Sequence, residues 1–428
     1  MAASSTETTD GSLTVTHETR RTAYTTFLHL LVRPLRGIIL KPPPPFPKGS
    51  PRLTPHHSVK NTCNVTERRV AEFWVYDVET RIGDTATKTP TTNDNAAATA
   101  PSSSSNTAAD STSPLPSTRS RRRVIYIAGG SWRAPPEPQH WRLAAKIAST
   151  VPDTIVTIIS PPLAPNETAP DVFPRLLTFY DEIMHEAEQN GERVVWAGDS
   201  SGGNLVLGIV GEALGRGEGG TADREEKEEE ARGEKGEKGE SSSRRTSGNG
   251  AVRAPAALLL ISPSVDARRT NPAIAAIERK DPILDPDGSR RMAADWAGTW
   301  GLDDPRISPS AAIPAASAAS TGAPTPNNVT AGGEAKAEHT PEHARRRFPD
   351  LPALLTRHDI PVHGVTAGYD ILAPDALALR HWFGERGVRG RWLHWERQMH
   401  CFLLAAPYKL SEGMEGLRWV LRVLEEST

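Results

Sequence analysis

The hexapeptide Gly198-Asp199-Ser200-Ser201-Gly202-Gly203 constrains this chain more than any other feature. A short apolar run, Val194-Val195-Trp196-Ala197, precedes it, and the segment from Asn204 to Leu214 reads as a helix. Strand, sharp turn and helix are the context in which Gly-x-Ser-x-Gly marks a nucleophile elbow. Glycines at 198 and 202 take away the Cβ atoms that would collide where strand and helix cross. Such a turn holds the Ser200 hydroxyl beyond the strand end and aims the Ser201 N–H at the place where an oxyanion would form. The plain alternative is a glycine-rich helix start that only packs, and the rest of the chain has to decide between the two.

A chain of 428 residues has room for two or three domains, although one α/β domain can exceed 200 residues. Hydrophobic content of 37% and a mean hydropathy of −0.46 are low for a globular chain. The polar excess is concentrated in three stretches. Residues 84–120 are almost all Thr, Ser, Ala, Asn, Asp and Pro; residues 215–250 carry Arg224-Glu225-Glu226-Lys227-Glu228 and Gly/Glu/Lys repeats; residues 313–345 are rich in Ala, Pro, Thr and Gly. None buries enough apolar surface to offset the entropy of ordering it, so each is expected to be a disordered insertion that marks a loop.

A net charge of −2 and a pI near 6.7 give no electrostatic case for nucleic acid. Cys63 and Cys401 form neither a disulfide framework nor a metal-ligand spacing, so a reducing, cytoplasmic setting is expected. The first twenty residues lack an apolar signal-peptide core and are expected to be disordered. The run Phe27 to Leu40 is interrupted by Arg33, Pro34 and Arg36 and is too short to span a bilayer. It is expected to cover a substrate pocket or to touch a membrane peripherally.

What remains alternates strand and helix. Val124–Ile127, Thr154–Ile159, Ala257–Ile261, Val362–Ala367 and Gly390–Trp395 read as strands. Helices are expected at Trp141–Ser149, Pro374–Gly387 and Leu410–Glu426, and from Val172 to Ala187, where apolar residues recur at helical spacing. Repeated β-then-α order predicts an α/β fold with a mostly parallel sheet covered on both faces. Before it, Phe73, Val75, Tyr76 and Val78 suit an antiparallel leading strand.

A serine nucleophile on such a sheet needs an acid and then a histidine later in the chain. His400, in Gln398-Met399-His400-Cys401-Phe402, follows the last strand; Asp370 follows the strand before it, after Gly368-Tyr369. Asp375 competes with Asp370, but it falls at the start of the next helix, where the helix dipole favours an aspartate for structural reasons. Asp370 is the preferred acid.

Once the insertions are excised, roughly residues 65–425 resemble the hormone-sensitive-lipase branch of the α/β-hydrolases, the fold-3 type of esterase and lipase. The elbow through Asn204 is similar to that family's Gly-Asp-Ser-Ala-Gly-Gly-Asn. Leu163-Ala164-Pro165 resembles its Leu-Ala-Pro-Glu turn, and Ile261-Ser262-Pro263 with Val265-Asp266 its Ile-Ser-Pro-x-x-Asp segment. Gly368-Tyr369-Asp370-Ile371-Leu372 is similar to Gly-x-x-Asp-Pro-Leu, and Met399-His400-Cys401-Phe402 to the His-Gly-Phe motif. The resemblance implies an α/β-hydrolase domain over 66–428, with 21–65 and a small helical cap outside the sheet. It places nucleophile, acid and base on Ser200, Asp370 and His400.

The family's His-Gly-Gly-Gly oxyanion loop is Ala128-Gly129-Gly130-Ser131 here, and Ser201 stands where the family has Ala. The N–H groups of Gly129, Gly130 and Ser201 are the expected oxyanion donors. The loss of the first histidine removes support for the loop, whereas Ser201 is expected to matter little. The implied reaction is cleavage of a small or lipid-like carboxylic ester through an acyl-enzyme, with no metal or organic cofactor. Amide, formamide or lactone cleavage on the same triad stays open, as does a non-catalytic ligand-binding member of the fold. The cap segment 264–310 carries Trp296 and Trp300, and His140-Trp141 either borders the pocket or starts a helix.

Overall fold

The computed structural model describes residues 5–39, 41, 43–81, 120–233, 252–313 and 349–427, with the backbone only for Ile39 and for 218–233. Of the expected insertions at 84–120, 215–250 and 313–345, residues 84–119, 234–250 and 314–345 lie outside the described residues. Ten strands form one sheet: β1 Ser5–Asp10, β2 Leu13–Glu18, β3 Cys63–Val70, β4 Phe73–Thr80, β5 Arg122–Ile127, β6 Thr154–Ser160, β7 Arg193–Asp199, β8 Ala257–Ile261, β9 Val362–Tyr369 and β10 Gly390–Met399. Their order across the sheet is β1-β2-β10-β9-β8-β7-β5-β6-β4-β3. From β6 through β10 all neighbours run parallel, and β2 joins β10 in parallel too; β3 and β4 close one edge in antiparallel fashion and β1 the other.

The central strands are apolar on both faces, as parallel strands between helix layers must be. Ile125, Trp196, Leu258 and Leu260 face one core, with Phe173, Leu176 and Ile183 of the helix Ala169–Gln189 and Leu379 of the helix Ala373–Glu385. Their sequence neighbours Val124, Tyr126, Val195 and Leu259 face the other, with Leu143 and Ile147 of the helix Pro138–Thr150 and Val420 and Leu424 of the helix Ser411–Glu426. Strand period two thereby feeds two layers at once.

Three expectations need correction. The first twenty residues are not wholly disordered, since β1 and β2 form a hairpin that extends the sheet. Leu13 and Val15 alternate with threonines and are fully buried, which supplies the core contact that the Ser/Thr-rich composition obscures. The second concerns the elbow helix, which continues from Ser201 to Gly233 rather than stopping at Leu214. Arg, Glu and Lys are good helix formers and no proline interrupts them, so the charged run extends the helix instead of ending it. The leading antiparallel strand is also two strands, β3 and β4.

Candidate active site

Strand β7 delivers Ser200 at the carboxyl edge of the sheet in the left-handed region, at φ +53°. The turn is pinned on three sides. Ser200 N–H donates to the Ile261 carbonyl at 2.9 Å, and its own carbonyl accepts from Ser264 N–H at 3.0 Å and Asn204 N–H at 3.3 Å. A Cβ on Gly202 would sit 1.9 Å from the Ile127 carbonyl oxygen, and one on Gly198 would sit 2.5 Å from the Gly202 carbonyl carbon. Only glycine lets strand and helix cross this closely.

The acid and base candidates meet. His400 Nδ1 lies 2.8 Å from Asp370 Oδ2, with both residues buried, and Asp370 Oδ1 accepts from Leu372 N–H at 2.9 Å. Burial opposes the charged imidazolium, but the Asp370 carboxylate outweighs it and holds the His400 pKa well above the ordinary histidine value. His400 Nε2 faces Cys401 Sγ at 3.4 Å. Cys401 is itself left-handed, at φ +49°; its N–H donates to Ser262 Oγ at 3.2 Å, and its Sγ lies 3.8 Å from Asp199 Oδ2. The histidine loop is therefore seated on the end of β8 and on the residue before Ser200. Burial pushes the Cys401 thiol up to about 11, so it stays a protonated, poorly nucleophilic group.

Asp375 is no partner of His400. It lies buried in the first turn of its helix, accepts from Asn271 Nδ2 at 2.9 Å, and is pushed up to about 7 by burial and by Asp266. A further carboxyl that sequence reasoning missed, Asp281, stands behind Asp370. It accepts the N–H groups of Ile283, Leu284 and Ile371, and burial together with the Asp370 charge pushes it up to about 7.

The glycine loop after β5 differs from expectation at one donor. Gly129 N–H donates to Asp199 Oδ1 at 3.0 Å, so it is already committed within the protein. A Cβ there would meet Asp199 Oδ2 at 2.5 Å and Ser200 Cβ at 2.9 Å. Gly130 follows at φ +138°, then Ser131 and Trp132 at +53° and +58°, a run of positive φ that turns the loop back over the elbow. Trp132 N–H donates to Ser201 Oγ at 3.3 Å, which gives the Ser201 side chain a structural role that sequence reasoning missed.

Asp199 is the hub of this arrangement. Its Oδ1 also accepts from Tyr126 Oη at 2.5 Å, and its Oδ2 lies 3.5 Å from His140 Nε2. His140 Nδ1 accepts from Glu137 N–H at 2.8 Å, which leaves the ring proton on Nε2, toward Asp199. Burial alone would raise the Asp199 carboxyl, but His140, Tyr126 and Gly129 together hold it below the usual range. His140 thus starts its helix and braces the elbow, and Trp141 packs edge-on against Tyr76 at 5.4 Å. Adjacency to Ser200 was the one sequence signal for Asp199; nothing in the spacing pointed to Tyr126 or Asp281.

Beside Ser201 opens a narrow apolar recess of about 20 Å³ lined by Ala128, Trp132, Ile159, Leu163, Leu205 and Trp296. Trp132 and Trp296 stack with an interplanar angle of 4° and centroids 6.4 Å apart, and their sequence neighbours Arg133 and Asp295 pair at 2.5 Å. Trp300 instead serves the core against Phe173, under the Arg306 guanidinium.

A family model described as alpha/beta hydrolase fold matches residues 124–335. The chain is similar in structure to an esterase/lipase from an uncultured bacterium, with TM-score 0.57 at 15% identity over 95% of this chain and 99% of that one. It is also similar to EstE5 in a crystal soaked with p-nitrophenyl butyrate, with TM-score 0.55 at 15% identity over the same shares of both chains. No curated protein matches the sequence.

Proposed function

Because the chain belongs to the α/β-hydrolase fold family, we propose that it is a serine hydrolase that cleaves carboxylic esters, with Ser200 as nucleophile, His400 as base and Asp370 as orienting acid. The observation that carries this reading is the buried 2.8 Å pair of His400 and Asp370, on a loop that rests against the elbow through Cys401 and Asp199. His400 takes the Ser200 proton as Ser200 Oγ attacks the ester carbonyl, and Asp370 stabilises the imidazolium that forms. The oxyanion is received by the N–H groups of Ser201 and Gly130, and Gly129 serves by anchoring the loop rather than by donating. The alcohol leaves with the proton from His400, and water then repeats the sequence on the acyl-enzyme.

The recess beside Trp132 and Trp296 is the proposed acyl or alcohol pocket, and its small volume of about 20 Å³ favours short or compact groups. Turnover of a p-nitrophenyl ester series from short to long acyl chains, alongside fluorophosphonate labelling of Ser200, tests both statements. Folded protein that takes no label and turns over no ester would leave the binding-protein alternative standing.

A further inference from the structure

We propose that the segment from Tyr24 to Ile38, together with Lys41 and Tyr408, docks on an anionic lipid surface and brings the mouth of the site against it. The helix Ala23–Val32 is turned inside out for a chain surrounded by water. Its buried residues are the polar Thr25 and His29, while Phe27 is 62% exposed and Leu30 66%. A helix that packs on a core does the opposite and turns its apolar stripe inward. The exposed face continues through Leu31, Leu35 and Ile38, the last 72% exposed. It extends to Tyr408, whose carbonyl accepts from Tyr24 Oη at 3.3 Å. Among the described residues, every large exposed hydrophobic side chain belongs to this one patch. Scattered exposed apolar residues need no cause, but a contiguous patch does.

Charge decides what covers it. Residues 19–66 contain eight Lys and Arg and no Asp or Glu, in a chain whose net charge is −2. Arg33, Lys41 and Lys409 stand exposed around the apolar face, which is the layout of a helix lying in the plane of an anionic interface. A second copy of the chain is disfavoured, because a two-fold contact would set these cations against themselves. Spanning is not at issue, since no helix among the described residues is long and apolar enough to cross a membrane.

The patch is joined to the site at two points. His29 packs against the Tyr369 ring, next to Asp370, at 6.4 Å, and Arg21 lies over the same ring at 5.1 Å. Tyr408 ends the 3-10 segment Phe402–Tyr408 that follows His400 and Cys401. A surface seated on this face therefore borders the loops that carry acid and base, so an ester dissolved in lipid would reach the site without crossing bulk water.

Vesicle co-sedimentation tests the proposal without reference to catalysis. The Ser200→Ala protein should pellet with phosphatidylcholine/phosphatidylserine vesicles at least about tenfold more strongly than with phosphatidylcholine alone, and less so at about 0.5 M salt. Phe27→Ser/Leu30→Ser/Ile38→Ser should cut binding by at least about tenfold, and Arg33→Glu/Lys41→Glu should abolish the preference for the anionic vesicles. Circular dichroism checks folding, and the exposed charge-reversal pair keeps the test open if the triple variant fails to fold. Three results would overturn the proposal: no pelleting with either vesicle at low salt, equal binding by parent and charge-reversal variant, or a parent dimer that the triple variant splits.

Discussion

Asp199→Asn is an isosteric change whose cost follows from the four groups around the carboxylate. Oδ1 accepts from Tyr126 Oη and Gly129 N–H, so the asparagine carbonyl has to stay on that side. The new amide then points its N–H bonds at His140 Nε2 and Cys401 Sγ, both of which carry hydrogen toward it. His140 cannot answer by moving its proton to Nδ1, because Nδ1 accepts from Glu137 N–H. At least one buried donor, His140 Nε2–H, is left without an acceptor, at about 1–3 kcal/mol, and the bonds from Tyr126 and Gly129 lose the extra strength of a charged acceptor. The sum is a destabilisation of about 3 kcal/mol, a large share of a typical folding free energy. Urea unfolding at about pH 6.5, roughly the midpoint of the usual stability plateau, measures it, with Tyr126→Phe expected to cost less than half as much. Loosening Gly129 also shifts the neighbouring Gly130 N–H, so turnover of a short-chain ester should fall by about 10²-fold, the scale of a lost oxyanion donor. A variant within about 0.5 kcal/mol of the parent, with parental turnover, would refute the view of Asp199 as the brace of the loop.

Ser200→Ala should abolish ester turnover and fluorophosphonate labelling. Ser201→Ala should keep labelling at Ser200 but lose about 1–2 kcal/mol of stability, because Trp132 N–H loses its acceptor. Asp370→Asn should lower kcat by on the order of 10⁴ and, by removing the charge that raises the His400 pKa, move the acidic limb of kcat/KM to lower pH; Asp375→Asn should change kcat by about tenfold or less. Asp375 and Asp281 are both held near 7 against about 3.8 in the unfolded chain. The folded state therefore keeps protons that the unfolded state releases, and their contribution to stability is full below about pH 4 and is lost as pH rises to about 7. Urea midpoints at pH 5 and 8 should differ less in Asp375→Asn than in the parent, and an unchanged difference would remove Asp375 from this account.

The parallel sheet was legible because β5, β6, β7, β8, β9 and β10 are short β-branched or apolar runs bounded by glycine, proline or charge, with helical periodicity between them. The pairing of His400 with Asp370 was legible from chain order, from the helix-start position of Asp375 and from the motif resemblance. The hairpin of β1 and β2 was not, because only Leu13 and Val15 carry its core contact and threonine-rich sequence reads as unstructured when its partner, β10, lies nearly four hundred residues away. The Asp199 hub escaped for a related reason. Tyr126, Gly129, His140 and Cys401 come from three separate elements and converge only once the sheet has formed. Asp281 carries no local mark of its contact with Ile371, next to Asp370 and ninety residues on.

Three of the positions at which this chain departs from the resembling family's motifs, 128, 201 and 401, are not independent once placed in space. Ala128 offers no side chain to hold the glycine loop, yet the loop is held at Gly129 by Asp199 and at Trp132 by Ser201 Oγ, the hydroxyl that replaces alanine. Cys401, in place of the glycine after the histidine, puts its sulfur between His400 Nε2 and Asp199 Oδ2. Each substitution thus touches either the loop that lost its histidine or the carboxylate that now braces it. A buried polar network of this kind is costly when half satisfied and rigid when complete. The changes at 128, 201 and 401 are therefore expected to be coupled, so that restoring Ala at 201 or Gly at 401 singly costs more than the local contact alone would predict. A double-mutant cycle of Ser201→Ala with Asp199→Asn should show an interaction energy of about 1 kcal/mol or more, and strict additivity would mean that the two supports act separately.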